Sequence, residues 1–347
     1  MHYNYIFITN DRNLNRGSYR IWVRDLSDSL NALGKSVKVV DLNQIALSDS
    51  YYKNIIIFDK SIDPSILKNE SKNSLVGAIN PPNTIKYEVD FVVVGSREEE
   101  TSLARFYDNI ILLPLIENSF YNCNLKKHEN HNTIRILYHG NALHLSSFKS
   151  NGLKLALERY KQYMRKKDKE IILLVVTGEK NPRWIVGKPN INCKFIKYDH
   201  SIINDIFYSC DICVVPGAYV NRPVISIIDR ILSNIKKSLF HFEYNHKDFR
   251  LRFKNKANHG RAMVPMQLGI PVIADITPSH FELLGDPLHG FIASCEYSWY
   301  RGLVALEQPA LRNQIAKHAK LFIQNKYDPL KWARYFSESI EKLLAKN

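Results

Sequence analysis

The sequence has no Asp-x-Asp anywhere in its 347 residues, so it lacks the common carboxylate pair for a divalent cation. The nearest acidic spacing, Glu88-x-Asp90, precedes a strand-like run instead of ending one. There is no G-x-G-x-x-G, which argues against a dinucleotide site such as that for NAD. No apolar run is long enough to span a bilayer. The chain enters a mixed strand-like run, Tyr3 to Thr9, without an apolar leader, so the expected location is cytoplasmic. Cysteine is scarce and odd in number, at five. Cys210-x-x-Cys213 has neither a second pair nor histidines at finger spacing, so buried free thiols are expected in place of a metal site or disulfides.

Cations, by contrast, are plentiful. Lysine and arginine outnumber aspartate and glutamate by 48 to 34, a formal charge of +14. Such a chain attracts anions: nucleic acid, acidic lipid headgroups or phosphorylated small molecules. The cations are spread along the chain and no nucleic-acid-binding signature accompanies them, so nucleic acid is not an expected partner, whereas an anionic membrane surface is one. With 45% hydrophobic and 24% charged residues, the composition is that of a globular protein, and the length suffices for two domains.

Read in order, the first third alternates strand and helix signals. Strands are expected over Tyr5 to Thr9, Ser36 to Leu42, Asn54 to Asp59, Leu75 to Ile79, Asp90 to Gly95 and Ile110 to Leu115. Helices are expected over about Tyr19 to Leu33, stopped by Gly34, and Arg97 to Phe106. This is the opening of a doubly wound parallel sheet, whose ligands sit beyond the carboxyl ends of the strands. There the first loop carries Arg16, Gly17 and Ser18, with Gly17 and Ser18 opening a helix, so it is a candidate phosphate or acceptor loop. The alternative is an ordinary capped turn.

The polar stretch from Glu117 to Asn132 reads as a linker. A second α/β run follows, with strands over Thr133 to Tyr138, Glu170 to Thr177, Lys194 to Ile196 and Asp211 to Pro216. Its first loop contains Gly140, Asn141 and His144. The expected division is 1–125, 126–327, and a terminal helix over 328–347 with Trp332, Phe336, Ile340, Leu343 and Leu344 on one face.

The densest signal lies between Arg252 and Ala293. Cations at Arg252, Lys254, Lys256 and Arg261 lead into a helical run that Gly269 stops and Pro271 cannot continue. Val272 to Ala274 read as a buried strand, and Thr277-Pro278-Ser279 start another helix with Ser279 as the expected cap. Cations converging on a helix N-terminus form a plausible anion site, since free N–H groups and the helix dipole favour negative charge there.

This stretch resembles the donor-binding segment of GT-B glycosyltransferases of the family-4-like group. Gly269-Ile270-Pro271-Val272-Ile273-Ala274 matches the family's turn and strand, and Glu282 falls at the family's glutamate after the proline. Gly290-Phe291-Ile292-Ala293, Trp299 and Leu311-Arg312-Asn313-Gln314-Ile315-Ala316 continue the pattern. The family's paired glutamates would fall at Lys256 and Val264, and neither is acidic. The segment Gly217 to Leu251 is longer than usual and reads as a helical insertion.

The resemblance implies two Rossmann-like α/β domains facing a cleft, and transfer of a sugar from a nucleotide-diphosphate donor to an acceptor hydroxyl, with no metal or other cofactor. A glycan or lipid-linked acceptor, a role in cell-surface glycan or polysaccharide synthesis, and peripheral attachment at the inner face of a membrane go with that reading. Arg261 and Lys256 would neutralise the leaving diphosphate; Asp11, by its loop position alone, is the candidate base if the enzyme inverts, whereas retention needs no such base. Gly140, Asn141, His144, Lys254 and Glu282 would hold the donor. Loss of the paired glutamates keeps a second reading open: a catalytically inactive GT-B-like glycan-binding or scaffold subunit.

Overall fold

The computed structural model describes residues 4–41, 54–59, 62–63, 74–82, 86–184, 186–217, 219–221, 250–252 and 259–346. The first sheet contains β1 (Asn4–Ile8), β2 (Ser36–Val40), β3 (Asn54–Phe58), β4 (Leu75–Ile79), β5 (Phe91–Val94) and β6 (Ile110–Leu112). All pairings are parallel and the order is β2-β1-β3-β4-β5-β6. Every residue of β3, β4 and β5 is buried, as expected of parallel strands covered on both faces.

The second sheet contains β7 (Thr133–His139), β8 (Glu170–Thr177), β9 (Asn192–Lys197) and β10 (Ile212–Val215). A short antiparallel ribbon follows, β11 (Tyr219–Asn221) with β12 (Arg250–Arg252), before β13 (Val272–Asp275) and β14 (Phe291–Ala293) complete the sheet. Its order is β14-β13-β10-β7-β8-β9, again all parallel. Most of the expected 217–251 insertion lies outside the described residues; the ribbon is what they show of it.

The strand order of each sheet reverses once. In the first the reversal falls at β1, so the loop after β1 lies at the sheet's topological switch point. In the second it falls between β7 and β10, so the loops beginning at Gly140 and Pro216 flank a crevice. Ligands of doubly wound sheets bind at such places.

The terminal helix Pro329–Leu344 packs on the first sheet. Its Ala333, Phe336 and Ile340 share a buried cluster with Tyr5, Phe7, Trp22 and Leu30. The Tyr5 hydroxyl meets Ser337 Oγ at 3.0 Å, and Lys35 pairs with Glu341 at 2.8 Å. The chain thus returns to the domain it began in. The linker is held to the second domain instead. Fully buried Arg312 donates to the carbonyls of Leu306, Glu307 and Glu129, while His128 Nε2 contacts Gly269 O at 2.8 Å.

Helix ends follow local chemistry, with one correction. Gly269, at φ +79°, ends the helix Gly260–Gln267 in the left-handed region that glycine favours. The next helix, Pro278–Leu284, is capped by Thr277, whose side chain accepts from His280 N at 3.1 Å. Ser279, expected as the cap, lies inside the helix because Pro278 occupies its first position. Ser279 reaches the first domain instead: its N–H donates to Glu98 Oε1 at 3.0 Å and its hydroxyl donates to Glu98 Oε2. Cys210 and Cys213 are buried free thiols, whereas Cys295 is exposed. Among the described residues no helix is long and apolar enough to cross a membrane.

Candidate active site

Where the two sheets face each other there is a cavity of about 290 Å³. The first domain contributes Gly17, Ser18, Arg20, Trp22, Glu99 and Glu117, and the second contributes His139, Tyr198, Phe207, Gly260, Arg261 and Val264. The switch-point loop of one domain therefore opposes the crevice of the other. Asn15 Oδ1 bridges the rim by accepting from His200 N at 2.9 Å.

Arg261 is the second residue of the helix Gly260–Gln267. Its Nη1 donates to Pro216 O at 3.0 Å, which aims the guanidinium at the mouth of the crevice. Gly140 makes room for it. That residue has φ +143°, and a Cβ there would lie 2.8 Å from Arg261 Cδ. Gly217 plays the same part on the other side, where a Cβ would fall 2.9 Å from Nη2. Two glycines, one after β7 and one after β10, thus give a long cation its channel.

The helix is unusual in containing Pro265. Proline has no N–H, so the carbonyl four residues earlier, that of Arg261, loses its helical donor. His139, the last residue of β7, fills the gap: its Nε2–H donates to Arg261 O at 2.7 Å. The imidazole packs edge-on against Phe207 with centroids 4.9 Å apart. The ring is part-buried, with one side on the cavity, and its desolvation, opposed by this hydrogen bond, brings its pKa down to about 4.

The opposite wall holds an ion pair. Arg20 donates through Nε to Glu117 Oε1 and through Nη1 to Leu14 O, and its guanidinium lies 5.3 Å from the Tyr198 ring centroid. Both side chains are almost wholly buried. Burial raises the Glu117 pKa, opposed by the Arg20 charge. Glu99 is buried and accepts from Gly95 N at 2.7 Å.

The sequence candidates divide. Gly17, Ser18 and Arg261 line one cavity, and Gly140 packs on Arg261. Arg16 and Asp11 form an ion pair on the first loop, and Asp11 Oδ1 also accepts from Asn13 N at 2.9 Å. This pair is not part of the cavity lining. Asn141 caps its own turn by accepting from Leu143 N, and His144 follows on that turn, beyond the lining. Glu282 is exposed and pairs with Lys326 at 3.2 Å, also away from the cavity. Lys254 and Lys256 lie outside the described residues. The sequence reading did not single out His139, Arg20, Glu99 or Glu117 as site residues. The usable signal was positional, since His139 ends a strand one residue before the switch-point glycine. Among the described residues no group of three or more His, Cys, Asp or Glu side chains is arranged to hold a metal ion.

Two Rossmann-like sheets with opposed switch points and a cleft between them define the GT-B fold, and this chain has it. No family model matches the sequence, and no curated protein matches it. Solved structures do, among them a glycosyltransferase from Rickettsia africae at TM-score 0.63 and 12% identity, with 100% of each chain covered. HepE of Anabaena, solved in complex with UDP-glucose, aligns at TM-score 0.59 and 10% identity over 98% of this chain and 99% of that one. TarM of S. aureus, solved with fondaparinux, alpha-GlcNAc-glycerol and UDP, aligns at TM-score 0.52 and 12% identity over 86% of this chain. This chain spans 56% of the TarM chain.

The fold is expected to be acid-sensitive through two neutral histidines, part-buried His139 and buried His259. Burial lowers the His139 pKa to about 4, and burial with the nearby His280 and Lys326 charges lowers that of His259 to about 3. Neither ring nitrogen of His259 has a hydrogen-bond partner among the described residues. Below pH 6.5 the unfolded imidazoles take up protons that the folded ones refuse, so stability falls as pH falls. The expected slope is up to about 1.4 kcal/mol per pH unit for each histidine, between about 6.5 and 4. Urea midpoints measured across that range check it; a flat profile from pH 6.5 to 4.5 contradicts the neutral assignment.

Proposed function

We propose that the protein transfers a sugar from a nucleotide-diphosphate donor to an acceptor hydroxyl in the interdomain cleft. The observation that carries this reading is Arg261, held at a helix start between two switch-point glycines and facing the first domain's helix-opening loop across one cavity. In the reaction the bond from the anomeric carbon to the diphosphate oxygen breaks, and the acceptor oxygen bonds to that carbon and loses its proton. Negative charge grows on the leaving diphosphate. Arg261 and the N–H groups at the start of its helix stabilise that charge without a metal. Lys256 and Lys254 precede this helix and are proposed as further cations.

Carboxylates at the cleft's first-domain wall, Glu99 and Glu117, lie nearer the cavity than Asp11 and are the better-placed acceptors for a proton. The solved GT-B structures with UDP or UDP-glucose support a uridine donor as the first to try. The experiment is release of nucleoside diphosphate from a panel of UDP-, GDP-, ADP- and dTDP-sugars, with EDTA present. Turnover of one donor is expected; no turnover with retained glycan binding would favour the inactive-subunit reading.

Peripheral attachment is proposed on the charge of +14, and a lipid-linked acceptor on the resemblance to GT-B glycosyltransferases. Weak binding to anionic vesicles, lost by 0.5 M salt, is the expected result. Equal binding to neutral vesicles would show that charge is not responsible.

A further inference from the structure

We infer that His139 is a positioning residue that sets Arg261 through its main chain, a role created by Pro265. The inference rests on the reading of Arg261 as the diphosphate cation. Three observations meet at Arg261, two at its carbonyl and one at its side chain. Pro265 removes the helical donor that the Arg261 oxygen would otherwise receive. His139 supplies a replacement at 2.7 Å from the neighbouring strand, 122 residues earlier in sequence. The residue after His139 is Gly140, whose bare Cα lets the Arg261 side chain lie against it. One dipeptide at the end of β7 therefore fixes Arg261 at both its main chain and its side chain.

The His139 ring is held in turn by Phe207, so its donor direction is fixed by packing. With Nε2 carrying the hydrogen, the ring serves as a neutral donor and does not add charge to the site. It acts on the diphosphate only through where it puts Arg261. A misplaced guanidinium weakens a charge-assisted bidentate contact, and it does so more in the transition state than in the ground state.

The pairing with Pro265 makes the inference testable by rescue. His139→Phe keeps a ring against Phe207 and removes the donor, leaving Arg261 O unpaired. Pro265→Ala restores an N–H at the position that should donate to Arg261 O. The full chain is titrated with inorganic pyrophosphate and with UDP, and turnover is measured with UDP-glucose. His139→Phe is expected to weaken both ligands roughly tenfold, with a larger fall in kcat than the rise in KM. His139→Gln, whose amide can reach the same carbonyl, is expected to recover most of the loss. Pro265→Ala alone should bind within about threefold of wild type, and adding Pro265→Ala to His139→Phe should recover binding to the same level.

A folded His139→Phe protein that binds pyrophosphate normally overturns the inference. So does a defect that persists unchanged in the double variant. Arg261→Ala separates the two levels of the argument: if it binds pyrophosphate and UDP as wild type does, or if wild type binds neither, the donor-site reading is at fault. If Arg261→Ala loses binding while His139→Phe does not, only the positioning role falls.

Discussion

Arg261→Ala should lower turnover by roughly a hundredfold or more while leaving the fold intact. The size follows from the loss of one preorganised donor aimed at developing charge. Arg261 is only partly buried, and the hydrogen bond it gives up, from its charged guanidinium to Pro216 O at 3.0 Å, contributes about 1.5–3 kcal/mol at most to stability. Affinity for a nucleoside diphosphate should fall, and affinity for the free nucleoside should change little. Steady-state kinetics with calorimetric titration of both ligands check this. Near-normal turnover in a folded variant would move the diphosphate contact to another part of the cleft.

Arg20→Met should destabilise the protein by about 3–5 kcal/mol, because it leaves the Glu117 carboxylate buried without its cation. Glu117 also belongs to the interdomain contact, where its carbonyl accepts from Gln267 Nε2 at 3.3 Å. The loss should therefore show in denaturant midpoints. It should shrink as pH is lowered, since protonating Glu117 removes the uncompensated charge and its pKa is already raised by burial. The double variant Arg20→Met with Glu117→Gln should recover much of the stability. A loss below about 1 kcal/mol at neutral pH would mean that water reaches the pair and that this cavity wall is not closed.

The elements most legible in sequence are those governed by local chemistry. Gly269 and Pro271 marked a helix stop and a strand start because a left-handed residue and a missing N–H act within one turn. Continuous apolar runs such as Leu75 to Ile79 marked strands buried on both faces. Arg261 was legible for the same reason: it is a cation at a recognisable helix start.

The misread cap shows the limit of composition alone. Thr277-Pro278-Ser279 holds two capping residues, and the proline between them selects Thr277. The cavity walls were less legible because tertiary topology assembles them. Arg20 meets Glu117 from 97 residues away, and His139 meets Arg261 from 122. No local pattern reports a pair of that kind. Pro265 inside a helix did carry a clue, since a proline there leaves a carbonyl that something else must satisfy.

The most direct test of the account is a crystal structure of the protein with UDP, or with the nucleoside diphosphate of whichever donor the panel selects. The account predicts diphosphate oxygens in the interdomain cavity, within hydrogen-bond reach of the Arg261 guanidinium and of N–H groups at the start of the Gly260–Gln267 helix. A nucleoside diphosphate bound elsewhere, with the Arg261 guanidinium making no contact to it, would contradict that claim.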